Sequence, residues 1–261
     1  YYRIVKNYIS INNSKIKESA EKINVNPEIF LLKFIGHEES LAVSKHNFFY
    51  KAKSKSSVVL SKVQSGYSLA KTREHVKYNK NHPLFNGFNE GITEIYTYDI
   101  IGAYLRENPE FSNEKQEDGH GHIRNFNKIF IYSGYATEMR LVETFMQAIA
   151  KATDCDIKDV RNAFVSGYFS GENFYDKELS ESFNIIFGKS FMKGLEKTTT
   201  KDKSVVLSCI KKLERWRIKN LTNEQREKIK EEVKSNLKHS KEMEKIFSDK
   251  GSGYGNRGYG N

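Results

Sequence analysis

Gly87-Phe88-Asn89-Glu90-Gly91-Ile92-Thr93-Glu94, read with the upstream Gly36-His37-Glu38-Glu39-Ser40-Leu41, is the stretch around which the chain is organised. Glu90 and Glu94 are four residues apart, which puts them one turn apart on the same face of a helix. One carboxylate can then bind an ion while the other orients a neighbouring ligand. The upstream stretch sets an imidazole, His37, beside a carboxylate, Glu38: a donor for a metal next to a general base for a bound water.

Helix signals surround both stretches. Asn26-Pro27-Glu28 is a start: Asn26 can cap, Pro27 suits the first helical position, where its missing N–H is harmless, and Glu28 suits the positive helix end. The spacing predicts a helix over 27–44. Phe30, Phe34, His37 and Leu41 recur at helical intervals, so His37 lies on the buried face. The plain alternative is a core histidine donating to a carbonyl. From Asn89 a second helix carries Ile92, Ile95, Tyr96 and Ile100 to about Arg106, and Asn108-Pro109 ends it.

Together the two stretches resemble the gluzincin-type zinc metallopeptidases, in which an HExxH helix supplies two histidines and the base. A second helix with an N-E-x-x-[ST]-[DE] pattern supplies the third ligand and an acid behind it. Ser65-Gly66-Tyr67-Ser68 and Ala163-Phe164-Val165-Ser166-Gly167-Tyr168-Phe169 extend the resemblance, over roughly positions 27 to 190, to bacterial metallopeptidase-like proteins with a G-[LF]-N-E-G-x-T-E motif. The resemblance implies a zincin-like core, zinc as cofactor, His37 and Glu90 as metal ligands, Glu38 as the base, and Glu94 as the residue holding the His37 ring. The second histidine of HExxH would fall at position 41, where this chain has Leu41. Catalytic zinc sites use three protein ligands plus water. The expectation is therefore a metallopeptidase-like protein with a degenerate zinc site, weakly active or non-catalytic, that serves as a binding or structural module. The enzymatic alternative needs a ligand recruited from the loop before Gly87, with His75, His82 and Glu74 the candidates. His46 is a poorer one, because nine residues beyond His37 it would face the other side of a continued helix.

Further along, residues 45 to 84 read as basic, Ser-rich and irregular, with one alternating segment, Ser57 to Val63, fit for an edge strand that could bind a peptide by strand addition. His120 and His122, near Glu117 and Asp118, could hold a metal, although most such loops hold none. Met139, Val142, Phe145, Met146 and Ile149 mark one buried helix, and Ile157, Val160, Phe164 and Val165 another, closed at Gly167-Tyr168-Phe169. Phe-rich helices continue over 174–195.

Thr198 to Lys203 reads as a linker. Beyond it Val206, Cys209, Ile210, Leu213 and Trp216 form an amphipathic helix, and Thr222-Asn223-Glu224-Gln225 a capping box opening a charged helix to Phe247. The expected division is a metallopeptidase-like domain over 1–195, a basic helical extension over 196–250, and a flexible Gly/Tyr tail over 251–261. The fold class expected is α+β, mainly helical, with a small sheet.

With 261 residues and 38% hydrophobic composition the chain can bury a substantial core. Its net charge of +10 is mostly C-terminal: 17 Lys/Arg against 10 Asp/Glu in residues 196–261, but 26 against 23 in residues 1–195. The basic C-terminal helices offer a surface to nucleic acid, a third functional reading, while a peptide or protein partner fits the cleft. Two cysteines, Cys155 and Cys209, form no disulfide framework or metal-ligand spacing, so a reducing, cytoplasmic compartment is expected. No apolar run approaches the ~20 residues of a membrane helix. The absence of a phosphate-binding glycine loop or a nucleophile elbow argues against other common enzyme classes.

Overall fold

Asn26 caps the helix that carries His37. Its side-chain oxygen accepts from the backbone N–H groups of Glu28 and Ile29 at 2.7 and 3.4 Å, and Pro27 occupies the first turn. In chain order the elements are β1 (Tyr2–Arg3), β2 (Tyr8–Ile9), α1 (Asn13–Ile23), α2 (Pro27–Val43), β3 (His46–Ser54), β4 (Ser57–Ser65), β5 (Ser68–Lys71) and α3 (Asn86–Glu107). They continue with α4 (Ala136–Thr153), α5 (Ile157–Ser170), α6 (Lys177–Phe187), α7 (Lys189–Glu196) and α8 (Lys203–Arg215). The computed structural model describes residues 2–3, 8–9, 11–54, 57–71, 83–108, 134–171, 174, 177–216 and a few positions between 222 and 231. The fold is mainly helical, with a small three-stranded antiparallel sheet.

Helix α3 joins two apolar clusters. Its first half gives Phe88, Ile92 and Ile95 to a large core, shared with Phe145 and Ile149 of α4 and Phe164 of α5. Its second half gives Ile101 and Leu105 to a smaller core with Ala20 of α1 and Ile29 and Phe30 of α2. Aromatic rings dominate the large core. Phe145 meets Phe88 and Phe164 edge-on at centroid distances of 5.4 and 5.8 Å, geometry that favours quadrupolar contact over face-to-face stacking.

The approach of α3 to α4 explains Gly91 of the quoted motif. A Cβ there would sit 2.5 Å from the carbonyl oxygen of Glu138 and 2.7 Å from Val142 Cγ2. A methyl group would have to push the helices apart. Gly91→Ala should therefore destabilise the protein by about 1–3 kcal/mol in urea unfolding; unchanged stability would mean that the helices do not pack this closely.

The sheet runs in the order β3-β4-β5. Ser65 pairs with Ser68, so Gly66 and Tyr67 form a two-residue hairpin loop, and Gly66 supplies the positive φ, 54°, that such loops require. A Cβ on Gly66 would also lie 2.4 Å from the Tyr168 ring.

Several expectations change. Residues 45–71 are not irregular: β3 is a full strand, and β4, expected at an edge, is the centre of the sheet. Helix α5 runs through Tyr168 to Ser170 and ends on Gly171, whose φ of 93° is left-handed. The proposed linker is packed: Thr198 and Thr199 are buried, Phe85 N–H donates to the Glu196 carbonyl at 2.8 Å, and Gly87 N–H to that of Thr198 at 3.0 Å. Val206, Cys209, Ile210 and Leu213 of α8 belong to the large core, so α8 is part of the body and not of an extension beyond residue 195. Most of the expected helix after Thr222, and the Gly/Tyr tail, lie outside the described residues. Among the described residues no helix is long and apolar enough to cross a membrane.

Candidate functional site

Helix α2 turns Lys33, His37 and Ser40 inward, and α3 turns Asn89, Thr93, Glu94 and Thr97 to meet them, all buried. The four-residue spacing of the acids straddles the imidazole. His37 Nδ1 lies 3.1 Å from Glu94 Oε1, and His37 Nε2 lies 3.3 Å from Glu90 Oε2. Glu94 Oε1 also accepts a 2.6 Å bond from Lys33 Nζ, and neither of those side chains has any solvent exposure. The Tyr135 ring covers the imidazole, stacked at 5.2 Å between centroids and 8° between planes. The Lys33 ammonium is 4.7 Å from the Phe34 centroid and 5.6 Å from that of Tyr135, within cation–π range of both.

A second ion pair borders the first. Glu138 of α4 is buried and pairs with Lys203 at the start of α8, whose ammonium also lies 5.9 Å from the Tyr135 centroid. Burial raises the Glu138 carboxyl above its ordinary value against the pull of Lys203. Burial also raises the Tyr135 phenol, reinforced by Glu90 and Glu94. For His37, burial works against the charged form, but Glu90 and Glu94 together outweigh it and lift the imidazole to about 9. Lys33 is lowered by burial despite Glu94. Glu94 would be raised by burial, yet His37 and Lys33 hold it below its ordinary value. Lys33 and Glu94, 2.6 Å apart in a solvent-free setting, form a charge-assisted hydrogen bond.

Polar contacts fix this constellation in place. Asn89 Oδ1 accepts from the backbone N–H groups of Tyr67 and Ser68 at 2.9 and 3.3 Å, tying the β4–β5 turn to the residue before Glu90. The Thr93 hydroxyl donates to the Asn89 carbonyl and lies 3.0 Å from the Tyr168 hydroxyl, which donates to the Ser40 carbonyl at 3.2 Å. One buried phenol therefore links α2, α3 and α5.

The resemblance implies zinc, so the donor set must be measured against it. Two ligands at 2.0–2.1 Å on a tetrahedral zinc stand roughly 3.3 Å apart, the separation found for His37 Nε2 and Glu90 Oε2. Glu90 Oε2 is buried and, among the described residues, has no hydrogen-bond partner that meets the geometry of a hydrogen bond. A catalytic zinc needs a third protein donor, however, and position 41 offers the hydrocarbon of Leu41. Among the described residues no group of three or more His, Cys, Asp or Glu side chains could hold a metal ion. The described donors do not fit a catalytic zinc.

His37, Glu90 and Glu94 are thus brought together, in the arrangement their spacing predicts. Glu38, half-buried, lines a groove between α1 and α2 with Asn12, Lys15, Ile16, Phe30 and Phe34, and its charge acts on Lys33 and Tyr135 of the site. His46 opens β3 opposite Ser65, where burial lowers its pKa against a bond with the Ala42 backbone. His75, His82, Glu74, His120, His122, Glu117 and Asp118 lie outside the described residues. Sequence reasoning missed Lys33, Tyr135, Glu138 and Lys203. Only Lys33 carried a local signal, standing one turn before His37 on an apolar face. No protein-family model, curated protein or solved structure matches the chain.

Proposed function

We propose that the chain is a metallopeptidase-like protein whose zinc site is degenerate, its scaffold serving as a binding or structural module instead of a peptidase. The observation that carries this reading is the fully buried Lys33–Glu94 pair. The carboxylate that would orient a ligand histidine is shared with an ammonium, so Lys33 and His37 can balance Glu90 and Glu94 without an ion. The purpose of the network is then to hold α2 against α3.

Metal analysis tests this. Protein purified without chelator should carry far less than one zinc per chain, and Glu90→Gln should not change that content. Leu41→His restores the missing donor and should raise zinc affinity roughly tenfold or more, on the scale of losses seen when even the outer partners of ligands are removed. Stoichiometric zinc in the parent, lost in Glu90→Gln, together with chelator-sensitive peptidase activity abolished by Glu38→Gln, would overturn the proposal. The ligand-like separation of His37 and Glu90 is what favours that second reading, an active zinc peptidase completed by His75, His82 or Glu74.

A further inference from the structure

We propose that the corner formed by Gly134, Tyr135 and Glu138 at the start of α4 is a binding site for a primary ammonium. The chain's own Lys203 occupies it, and a lysine side chain of a partner, or a free alkylamine, takes it when Lys203 withdraws. Lys203 Nζ donates to the Gly134 carbonyl at 2.8 Å and to the Glu138 carboxylate, and lies 5.9 Å from the Tyr135 centroid, within cation–π range. Glu138 has no solvent exposure. Its second oxygen, Oε2, is buried and, among the described residues, has no partner that meets the geometry of a hydrogen bond. A carboxylate so placed demands a cation. Glu90, Glu94 and Glu38 add to the negative field around Tyr135.

The cation enters from outside. The Lys203 side chain is 37% exposed while the carboxylate it meets is fully buried, so the lysine stem runs inward from solvent. Removing that stem leaves a path along which another ammonium can reach Glu138. The start of α8 has other anchors: the Asp202 carboxylate accepts from the Ser204 N–H at 3.0 Å, and Val206, Cys209, Ile210 and Leu213 hold the helix in the large core.

The chemistry of the corner selects the ligand. One carbonyl oxygen and one carboxylate oxygen about a single nitrogen suit the point charge and rotating N–H donors of an ammonium, whereas the planar fork of a guanidinium seeks paired acceptors. A metal ion is not served, because among the described residues no three His, Cys, Asp or Glu side chains are grouped to hold one. Tethered to α8, Lys203 competes at a high effective concentration and keeps free amines out. It is an internal plug, and a partner's lysine enters only by displacing it. The Tyr135 ring that borders the corner also stacks on His37, so the plug and the buried network share a wall. Ammonium binding here is independent of whether His37 holds zinc.

Chemical rescue of Lys203→Ala in the full chain tests this, by urea unfolding in propylammonium, Nα-acetyl-lysine amide, tetramethylammonium or sodium chloride at matched ionic strength. The variant should be less stable than the parent, and propylammonium should restore it with half-saturation at roughly 1–10 mM, the range for a ligand of so few atoms. Above that concentration a tenfold rise in amine should raise the folded-to-unfolded ratio about tenfold in the variant and leave the parent unchanged. Tetramethylammonium carries the charge without N–H donors and should do no more than sodium. Rescue by Nα-acetyl-lysine amide as well would assign the corner to a partner's lysine, and rescue by propylammonium alone to a free amine. In Glu138→Gln/Lys203→Ala the rescue should vanish. If Lys203→Ala does not fold, propylammonium present during refolding from urea should recover the parent's circular dichroism spectrum. Equal effects of all four salts, rescue that survives Glu138→Gln, or no effect of propylammonium at about 100 mM in either format would overturn the proposal.

Discussion

Replacing Lys33 by Met should destabilise the protein by about 3–5 kcal/mol, the penalty for breaking a buried ion pair by removing one partner, and it leaves His37 to face both Glu90 and Glu94. Lys33 and Glu94 have no solvent exposure, so water cannot take the place of the ammonium. Methionine matches the lysine stem closely, and lost packing contributes little to the effect. Glu94→Gln on the Lys33→Met background should recover part of the loss, since a neutral pair demands less desolvation. Acid unfolding gives an independent check. A carboxyl held below its ordinary value, as Glu94 is, contributes stability above its unfolded pKa and loses it as pH falls through the folded one. Without Lys33 the Glu94 carboxyl should rise, and stability should fall less steeply on acidification than in the parent. A Lys33→Met protein within about 1 kcal/mol of the parent would show that the pair does not hold α2 against α3.

The same residues explain what could be read in advance. The cap at Asn26-Pro27 and the four-residue spacing of Glu90 and Glu94 are local signals, and each fixes geometry within one or two turns. Because Phe30, Phe34 and His37 define the inner face of α2, the meeting of His37 with α3 followed from periodicity. Lys33 was hidden by its chemistry: a lysine in a helix is normally solvated, and only a partner on another helix, Glu94, makes its burial tolerable. Tyr135 and Lys203 come from α4's approach and from α8, and no spacing in the sequence joins them to His37. The strand β3 was missed because Phe48-Phe49-Tyr50 is a continuous aromatic run without alternation, on an edge whose outward face carries rings instead of polar groups. Thr198 and Thr199 look like linker residues by composition, yet the backbone between Glu196 and Thr198 satisfies the N–H groups of Phe85 and Gly87 at the start of α3. That Leu41 stands four residues after His37 was plain in the sequence; the ammonium on Glu94 was not.

Asn89→Ala should be the next most damaging change, at roughly 2–5 kcal/mol, because one side-chain oxygen serves two buried donors. Asn89 Oδ1 accepts from the N–H groups of Tyr67 and Ser68, and all three residues are buried. Truncation would remove the buried acceptor that both N–H groups share, at about 1–3 kcal/mol for each bond lost. Repair by movement is blocked on one side: Gly66 is already so close to Tyr168 and to Asn89 that a single Cβ would not fit. The loss should be local before it is global. In native-state hydrogen exchange the amides of Tyr67 and Ser68 should lose protection, while amides in the middle of α2 keep theirs relative to the new global stability. Asn89→Asp is the informative companion. It retains the acceptor, so it should preserve protection at Tyr67 and Ser68 better than alanine does, even though its buried charge carries a penalty of its own. Equal loss of protection in both variants would mean that the acceptor is not what holds the turn. Because Asn89 immediately precedes Glu90, an undocked turn should also free the start of α3, and with it the carboxylate that meets His37. The hairpin and the ion-pair network would then be one cooperative unit, joined through a single amide.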